Sequence, residues 1–289
     1  MRTGAAARVS AQKGTLIVVA TPLGNLGDLS PRASEALQTA NVVFAEDTRV
    51  TETLLRHVGS HARCVSLHAH NERDRTQAVL DALAAGERAA LVSDAGTPLV
   101  SDPGAHVVAA AAAAGYAVTS VPGPSAVVTA LAASGFLAVP FAFFGFVERK
   151  GEAQTRQLAA MRQFSGTIVV FETKERIHDT LALLAETLGE STPALIGREL
   201  TKLHETYYRG TLAELAAELA DTTLKGEMTL VIAPRAAAHQ GLEDRDAVVR
   251  ELQADASRPL PVRVKELVLR TGMTRKEAYR VLSEAKSER

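Results

Sequence analysis

The chain has 289 residues, which is too long for one average domain and suits two domains with a small addition. Apolar residues make up 46% and charged residues 22%, the balance of an ordinary globular protein, and the formal net charge is −1. No apolar run reaches the roughly 18 residues that span a bilayer, and a single cysteine, Cys64, excludes an intrachain disulfide. We therefore expect a cytoplasmic protein without a membrane partner.

The N-terminal half predicts an α/β domain. Residues 1–13 are small and basic and lack an apolar segment, so we predict a disordered tail rather than a secretory signal. Over 14–122, short apolar runs without alternation separate longer helical patterns, which is typical of a mainly parallel sheet covered on both faces. Strands are predicted at 15–20, 42–45, 89–93 and 117–121, and helices at 31–40, 51–58, 73–85 and 105–114.

Pro122-Gly123-Pro124 interrupts this pattern and predicts a domain boundary. A second α/β domain is predicted over 123–235. Its strands are predicted at 141–144, 167–171, 193–197, 207–211 and 228–233, and its helices at 125–133, 152–163, 176–188 and 212–220.

After Pro234 the composition changes, and 236–289 is predicted as a linker followed by a basic helix-turn-helix-like domain. The linker is expected over 236–246 and one short helix over 263–270. Thr274 with Glu277 three residues on has capping-box spacing and starts a second helix. From 258 to 289 there are nine Lys/Arg against four Asp/Glu, so this appendage suits nucleic acid, although a dimer-forming or simply solvated helix pair remains open.

Three loops follow predicted strands: 20–28, 93–104 and 121–126. The first is neither a dinucleotide fingerprint nor a phosphate loop, and alone it is equally consistent with a plain turn. The second contains two glycines that permit close approach to a ligand and two prolines that restrict its shape. Because the carboxyl ends of parallel strands share one edge, the three loops predict a common ligand site.

Six segments together resemble the tetrapyrrole methylase family. They are Thr21-Pro22-Leu23-Gly24-Asn25, Ala45-Glu46-Asp47-Thr48-Arg49, Leu67-His68-Ala69-His70-Asn71-Glu72, Ser93 to Gly104, Pro122-Gly123-Pro124-Ser125-Ala126, and Arg198-Glu199-Leu200-Thr201-Lys202. The resemblance covers about 15–234. It implies an α/β fold class: two α/β domains with an S-adenosylmethionine cleft between them, plus a small C-terminal helical appendage.

One segment departs from the family pattern. After Val170-Phe171-Glu172 the family usually has Ser-Pro-His before an arginine, whereas this chain has Thr173-Lys174-Glu175 before Arg176.

The resemblance implies cofactor contacts from both domains. These are Leu23, Gly24, Asp94, Gly96, Thr97, Pro98, Val100, Ser101, Ser125, Ala126, Gly197, Met228 and Thr229.

Transfer to a ribose hydroxyl also requires an acceptor for its proton. The predicted catalytic residues are Glu46, Asp47, Arg49, His70 and Lys202, and the further candidates for the base are His68, Glu72, Asp94, Asp102 and Glu199. Asp47 suits helix capping equally well. No metal is expected, because His68 and His70 lack a carboxylate pair at ligand spacing.

The implied reaction is methylation of the ribose 2′-hydroxyl of a cytidine in small-subunit (16S) ribosomal RNA, free or in the ribosomal subunit, by a homodimer. The predicted RNA contacts are Arg198, Arg263, Lys265, Arg275 and Lys276. Two alternatives remain: a methylase of a uroporphyrinogen- or precorrin-type tetrapyrrole ring, and a non-catalytic nucleic-acid-binding protein.

Overall fold

A computed structural model describes residues 14–220, 222, 224–234, 245–255, 258–271 and 273–284. The predicted disordered tail (1–13) and most of the predicted linker (236–244) lie outside the described residues. The chain divides into two compact units, residues up to Pro234 and residues from Arg235 onward.

The first five strands form one parallel sheet in the order β3-β2-β4-β1-β5. The strands are β1 (Thr15–Val19), β2 (Val42–Ala45), β3 (Arg63–Ser66), β4 (Arg88–Val92) and β5 (Ala117–Val121). The helices between them are α1 (Pro31–Gln38), α2 (Thr48–Val58), α3 (Glu72–Ala84) and α4 (Ala105–Ala113), and a 3-10 turn covers Leu26–Asp28.

Both faces of the central strands of this sheet, β1, β2 and β4, are buried. Ile17 and Val19 of β1 pack with residues of α1 and α2, whereas Leu16 and Val18 pack with residues of α3 and α4. Because the side chains on both faces of the strand are buried among apolar groups, the sequence of β1 is a continuous apolar run. The predicted parallel sheet with two covered faces is confirmed.

β3 is a strand that the sequence pattern does not predict. It lies at the edge of the sheet, and its residues are only partly buried or exposed. An edge strand lacks the dense apolar run that marks the central strands, so Cys64 and Val65 alone gave too weak a signal.

The next five strands form a second, mixed sheet in the order β6-β7-β10-β8-β9, in which only β6 and β7 pair in parallel. The strands are β6 (Phe141–Phe146), β7 (Thr167–Thr173), β8 (Pro193–Arg198), β9 (Thr206–Thr211) and β10 (Glu227–Ile232). The helices are α5 (Ala126–Ser134), α6 (Gly151–Gln163), α7 (Ile177–Leu188) and α8 (Leu212–Leu219).

The change of sheet occurs at the predicted boundary of 122–123. Through Val127 and Leu131, α5 packs onto the core of the second sheet. Leu23 and Val100, from loops of the first sheet, pack against the same cluster. The two sheets therefore belong to one compact unit rather than to two separate ones.

The second unit contains α9 (Arg245–Ala254), α10 (Leu260–Thr271) and α11 (Arg275–Glu284). The predicted capping box is present: the Glu277 amide donates to Thr274 Oγ1 (3.3 Å), and the Thr274 amide donates to Glu277 Oε2 (3.1 Å). The prediction of two helices is wrong, because α9 is a third helix in this unit. It begins at Arg245, inside the linker expected over 236–246. Val248 and Leu252 are its buried residues, too few for a clear periodic signal.

Throughout the described part of the chain, each helix is too short or too polar to cross a bilayer.

Candidate active site

Three loops meet at the carboxyl edge of the first sheet, as predicted. The amides of Thr21 and Gly96 donate to each other's carbonyl oxygens at 2.8 and 3.0 Å. Thr21 Oγ1 also donates to the Ser93 carbonyl oxygen at 3.1 Å. Thr97 Oγ1 donates to the Pro124 carbonyl oxygen at 2.9 Å and so attaches the third loop. The loops after β1, β4 and β5 are thus held together by hydrogen bonds between residues 27 to 75 positions apart, which no local sequence pattern specifies.

These loops form one wall of a cleft of about 500 Å³, and strand ends of the second sheet form the other. The first wall contains Leu23, Glu46, Asp94, Ala95, Gly96, Thr97, Val100, Ser101, Asp102, Ser125 and Ala126. The second wall contains Phe146, Phe171, Glu172, Thr173, Lys174, Glu175, Gly226, Glu227, Met228 and Thr229.

Most of the residues predicted to bind the cofactor line this cleft. They are Leu23, Asp94, Gly96, Thr97, Val100, Ser101, Ser125, Ala126, Met228 and Thr229.

Three predicted cofactor residues lie elsewhere, because neighbouring groups occupy the space around them. The stem of Lys202 covers Gly24 where a side chain would stand. Pro98 is buried beneath the loop surface. Gly197 faces the core, since a β-carbon there would lie 2.8 Å from a methyl group of Leu200. The cleft wall therefore does not include Gly24, Pro98 or Gly197, contrary to the prediction.

Three carboxylates of the first wall share the cleft. Burial, followed by repulsion from Asp94, raises the pKa of Glu46. Burial also raises the pKa of Asp94, although its Oδ1 accepts a hydrogen bond from the Asp47 amide at 2.9 Å. For Asp102, burial and then the nearby Glu46 raise the pKa to about 6. Carboxylates whose pKa values are raised by burial and by each other's negative charge are typical of a functional site.

Asp47 and Arg49 form an ion pair with each other at the start of α2. Asp47 is the N-cap of α2, and its Oδ1 accepts from the Arg49 amide at 2.9 Å. The Arg49 guanidinium also binds this carboxylate at 2.5 Å, and that hydrogen bond is the main reason the pKa of Asp47 falls to about 2. So acidic a group is a weak proton acceptor. The capping interpretation of Asp47 fits the geometry better than the catalytic one.

His70 and Lys202 also lie outside the cleft wall. His70 is exposed, and its ring centroid lies 6.0 Å from that of His68. Lys202 Nζ is 2.9 Å from Glu199 and 3.1 Å from Glu227, which lines the cleft. The lysine is therefore engaged in ion pairs at the cleft margin rather than directed at a reacting atom. Glu46 is the one predicted catalytic residue that lines the cleft.

Two predicted RNA contacts have structural partners instead. Arg198, the last residue of β8, donates from Nε to the Lys225 carbonyl oxygen at 2.7 Å and so connects the end of this strand to the loop before β10. Arg263 is buried, with 6% exposure, and donates to the Leu252 carbonyl oxygen at 2.9 Å. A buried guanidinium is not available to phosphate, so Arg263 is corrected to a core residue of the helical unit. The remaining predicted contacts, which are exposed, are Lys265, Arg275 and Lys276.

The second wall contains residues that the sequence analysis misses. Glu172 is fully buried and accepts from Thr180 Oγ1 at 2.6 Å, with Arg176 at 3.5 Å. These contacts fix the turn after β7, which is the segment Thr173-Lys174-Glu175 that departs from the family pattern. The available signal was a charged residue at the end of a buried apolar strand.

A family model described as "Tetrapyrrole (Corrin/Porphyrin) Methylases" matches residues 15–216. The chain belongs to the tetrapyrrole methylase family. The predicted family is thereby confirmed, and so is S-adenosylmethionine, the methyl donor of these methyltransferases.

Three relatives of this tetrapyrrole methylase carry the name ribosomal RNA small subunit methyltransferase I. The Xylella fastidiosa (strain Temecula1) protein is 45% identical over 81% of this chain and 84% of its own. The Synechocystis protein is 42% identical over 271 residues, which is 94% of this chain and 92% of its own. The Escherichia coli O157:H7 protein is 39% identical over 89% of this chain and 87% of its own.

Solved structures confirm the fold at lower identity. A diphthine synthase has a TM-score of 0.59 at 17% identity, covering 76% of this chain and 90% of its own. A uroporphyrin-III-C-methyltransferase from Thermus thermophilus has a TM-score of 0.55 at 20% identity, covering 77% and 95%. Proteins with such different names share this fold, so the fold alone does not identify the methyl acceptor.

The cleft of this tetrapyrrole methylase fits the cofactor. Its volume lies in the range of small-molecule sites. At Gly96 a β-carbon would lie 3.0 Å from Leu23, so the glycine keeps the wall open for a close ligand. Apolar groups such as Val100 and Met228 suit an adenosine, while the carboxylates suit the sulfonium and ammonium charges.

Proposed function

We propose that this chain methylates the ribose 2′-hydroxyl of a cytidine in 16S ribosomal RNA, using S-adenosylmethionine. The observation that carries the proposal is the alignment with the Synechocystis protein, named a ribosomal RNA small subunit methyltransferase. It spans 271 of the 289 residues and so must include most of the helical unit from Arg235 onward. This relative with the ribosomal name is therefore similar to the chain over the appendage as well as over the two sheets.

The cleft residues bind and orient the donor. Val100, Ala126 and Met228 provide apolar surface for the adenosine, and Asp94 provides an acceptor for the amino group. When bound, S-adenosylmethionine supplies a methyl group on a positively charged sulfur, which leaves as a neutral thioether. Since the donor is already activated, the protein's main task is alignment, which can contribute roughly 7–11 kcal/mol.

Asp102 is the proposed proton acceptor. It lines the cleft beside Glu46, and at neutral pH a carboxyl with a pKa of about 6 is mostly ionised yet still basic. As the 2′-oxygen gains the methyl group, its proton passes to the Asp102 carboxylate. Asp47, with its pKa near 2, is the weaker acceptor.

Labelled S-adenosylmethionine tests the acceptor directly. We would offer undermethylated small subunits, naked 16S RNA and uroporphyrinogen-type rings, and then separate the labelled nucleosides. Label in 2′-O-methylcytidine is expected, and the preferred RNA form distinguishes free RNA from the assembled subunit. Label confined to the ring would establish the tetrapyrrole alternative, and RNA binding without any transfer would establish the non-catalytic one.

The helical unit is proposed to bind the RNA. Lys265, Arg275 and Lys276 are exposed there and can contact phosphates. Replacing all three with glutamate is expected to raise the KM for RNA at least tenfold and to leave S-adenosylmethionine affinity unchanged. The matched control replaces three exposed arginines of the first unit with glutamate. They are Arg32, Arg73 and Arg75. Equal activity of the two triple variants would remove this unit from RNA recognition.

We also propose a cytoplasmic homodimer. The single cysteine suits a reducing compartment, and the exposed apolar side chains of Leu137, Val139 and Leu203 suit a subunit contact. Light scattering on the purified protein is expected to give twice the chain mass, and the Leu203→Glu change to reduce it. A monomer at micromolar concentration would contradict the dimer.

A further inference from the structure

Glu72, the first residue of α3, caps a different helix. Its Oε1 accepts hydrogen bonds from the amides of Gly104 (3.0 Å), His106 (2.8 Å) and Val107 (3.4 Å). These amides belong to the start of α4, 32 to 35 positions later in the chain. The carboxylate therefore fixes the point at which the loop 93–104 becomes a helix.

α4 depends on this distant cap. The first amides of a helix have no partner within the helix, and they attract negative charge. The N-cap residue of α4 is Gly104, with φ +124°, and glycine has no side chain that could accept from them. A β-carbon at Gly104 would also lie 2.8 Å from Leu91, so a capping serine or aspartate does not fit at this position.

The turn before α3 holds Glu72 in place. Asn71 Oδ1 accepts from the His68 amide at 2.8 Å, and the Glu72 amide donates to the His68 carbonyl oxygen at 2.9 Å. The turn follows β3, whose neighbour in the sheet is β2. The segment 67–72, singled out in the sequence, is thereby a rigid support for one carboxylate.

The supported loop is conformationally strained. Leu99 and Ser101 have φ values of +72° and +70°, in the left-handed region that residues with side chains rarely occupy. Ser101 and Asp102 line the cleft. At its other end the loop is held by Thr21 and Pro124. Without an anchor at Gly104, Leu99 and Ser101 would be free to relax and move the cleft wall.

We propose that Glu72 is a positioning residue that keeps the loop 93–104 in the shape that binds S-adenosylmethionine. The proposal rests on the assignment of this loop to the cofactor, and it does not depend on the identity of the methyl acceptor. It gives the segment 67–72 a role in cofactor affinity rather than in the choice of acceptor.

Calorimetric titration with S-adenosylmethionine tests the proposal on the full chain. Glu72→Ala is expected to raise the Kd about tenfold. Glu72→Gln keeps an acceptor oxygen but loses the charge, so an increase of two- to fivefold is expected. Asp74→Ala removes an exposed carboxylate from the same first turn of α3 and should leave the Kd within twofold of the unchanged protein.

Hydrogen exchange separates positioning from general destabilisation. In Glu72→Ala, amides of 99–107 are expected to exchange faster, whereas those of α5 keep their protection. With RNA, the KM for S-adenosylmethionine should rise about tenfold while kcat at saturation stays within threefold. If Glu72→Ala does not fold, Glu72→Gln alone decides.

An unchanged Kd in both Glu72 variants would overturn the proposal, and so would faster exchange throughout the fold with no excess at 99–107. If the unchanged protein binds S-adenosylmethionine but methylates no RNA, the proposed function fails while the binding test of Glu72 still applies.

Discussion

The two walls of the cleft differ in construction. The wall from the first sheet consists of irregular loops. Leu99 and Ser101 are strained in one of them, and three carboxyl groups from two loops line the wall. The wall from the second sheet consists mainly of the ends of β7 and β10, paired in regular antiparallel register. Strain and like charge lower stability, so a folded protein retains them where function needs them. The first wall therefore holds the proposed proton acceptor as well as donor-binding residues, whereas the second wall provides binding surface.

The largest expected effect is a loss of kcat on substitution of a carboxylate in the first wall but not in the second. Asp102→Asn removes the proposed proton acceptor and should lower kcat with RNA by about 10²–10⁴-fold, with the Kd for S-adenosylmethionine within threefold. Glu227→Gln changes a carboxylate of the second wall and is the matched control, with kcat expected within threefold. Single-turnover kinetics measures both. An equal loss in the two variants would refute the division between the walls.

The pH profile sharpens the same assignment. Because burial raises the pKa of Asp102 to about 6, kcat/KM should rise about tenfold between pH 5 and pH 7 and then level off. The residual activity of Asp102→Asn should lack this rise. A profile in Asp102→Asn that still rises with an apparent pKa near 6 would point to another group, with Glu46 next in line.

A smaller effect is expected from the second wall. Phe171 lines the cleft and packs edge-on against Phe143 at 4.6 Å between ring centroids. Phe171→Leu keeps an apolar residue but loses the aromatic face, so the KM for S-adenosylmethionine should rise about three- to tenfold at unchanged kcat. A fall in kcat comparable to that of Asp102→Asn would show that this wall also takes part in the chemistry.

The smallest effect concerns stability. A carboxyl whose pKa rises from 3.8 to about 6 binds more protons in the folded state, so its contribution destabilises the fold as pH rises through that window. Asp102→Asn should therefore raise the melting temperature at pH 7.5 by about 1–3 °C, a range that allows for screening of the charge by solvent. Below pH 3.8, where the carboxyl is mostly protonated in both states, the substitution should leave the melting temperature unchanged. A lower melting temperature at pH 7.5 would mean that Asp102 stabilises the fold.

Much of the fold could be predicted from local pattern. The central strands of the first sheet are apolar on both faces, and the helix predicted at 31–40 begins at Pro31, with Ser30 as its N-cap. The elements that the pattern missed are β3 and α9, which bury few residues and so leave a weak periodic signal. The site was predictable where glycine- and proline-rich loops follow strands.

The sequence by itself determined the family, the order of strands and helices, and the loops that form the cleft, because apolar periodicity and turn residues act over short distances. Only the tertiary structure decided which polar groups face the cleft. Asp47 caps its own helix, Arg263 enters a core, and Glu72 caps a helix more than 30 positions away. The partner of a charged side chain is chosen by proximity in space, and that proximity exists only after the strands have paired.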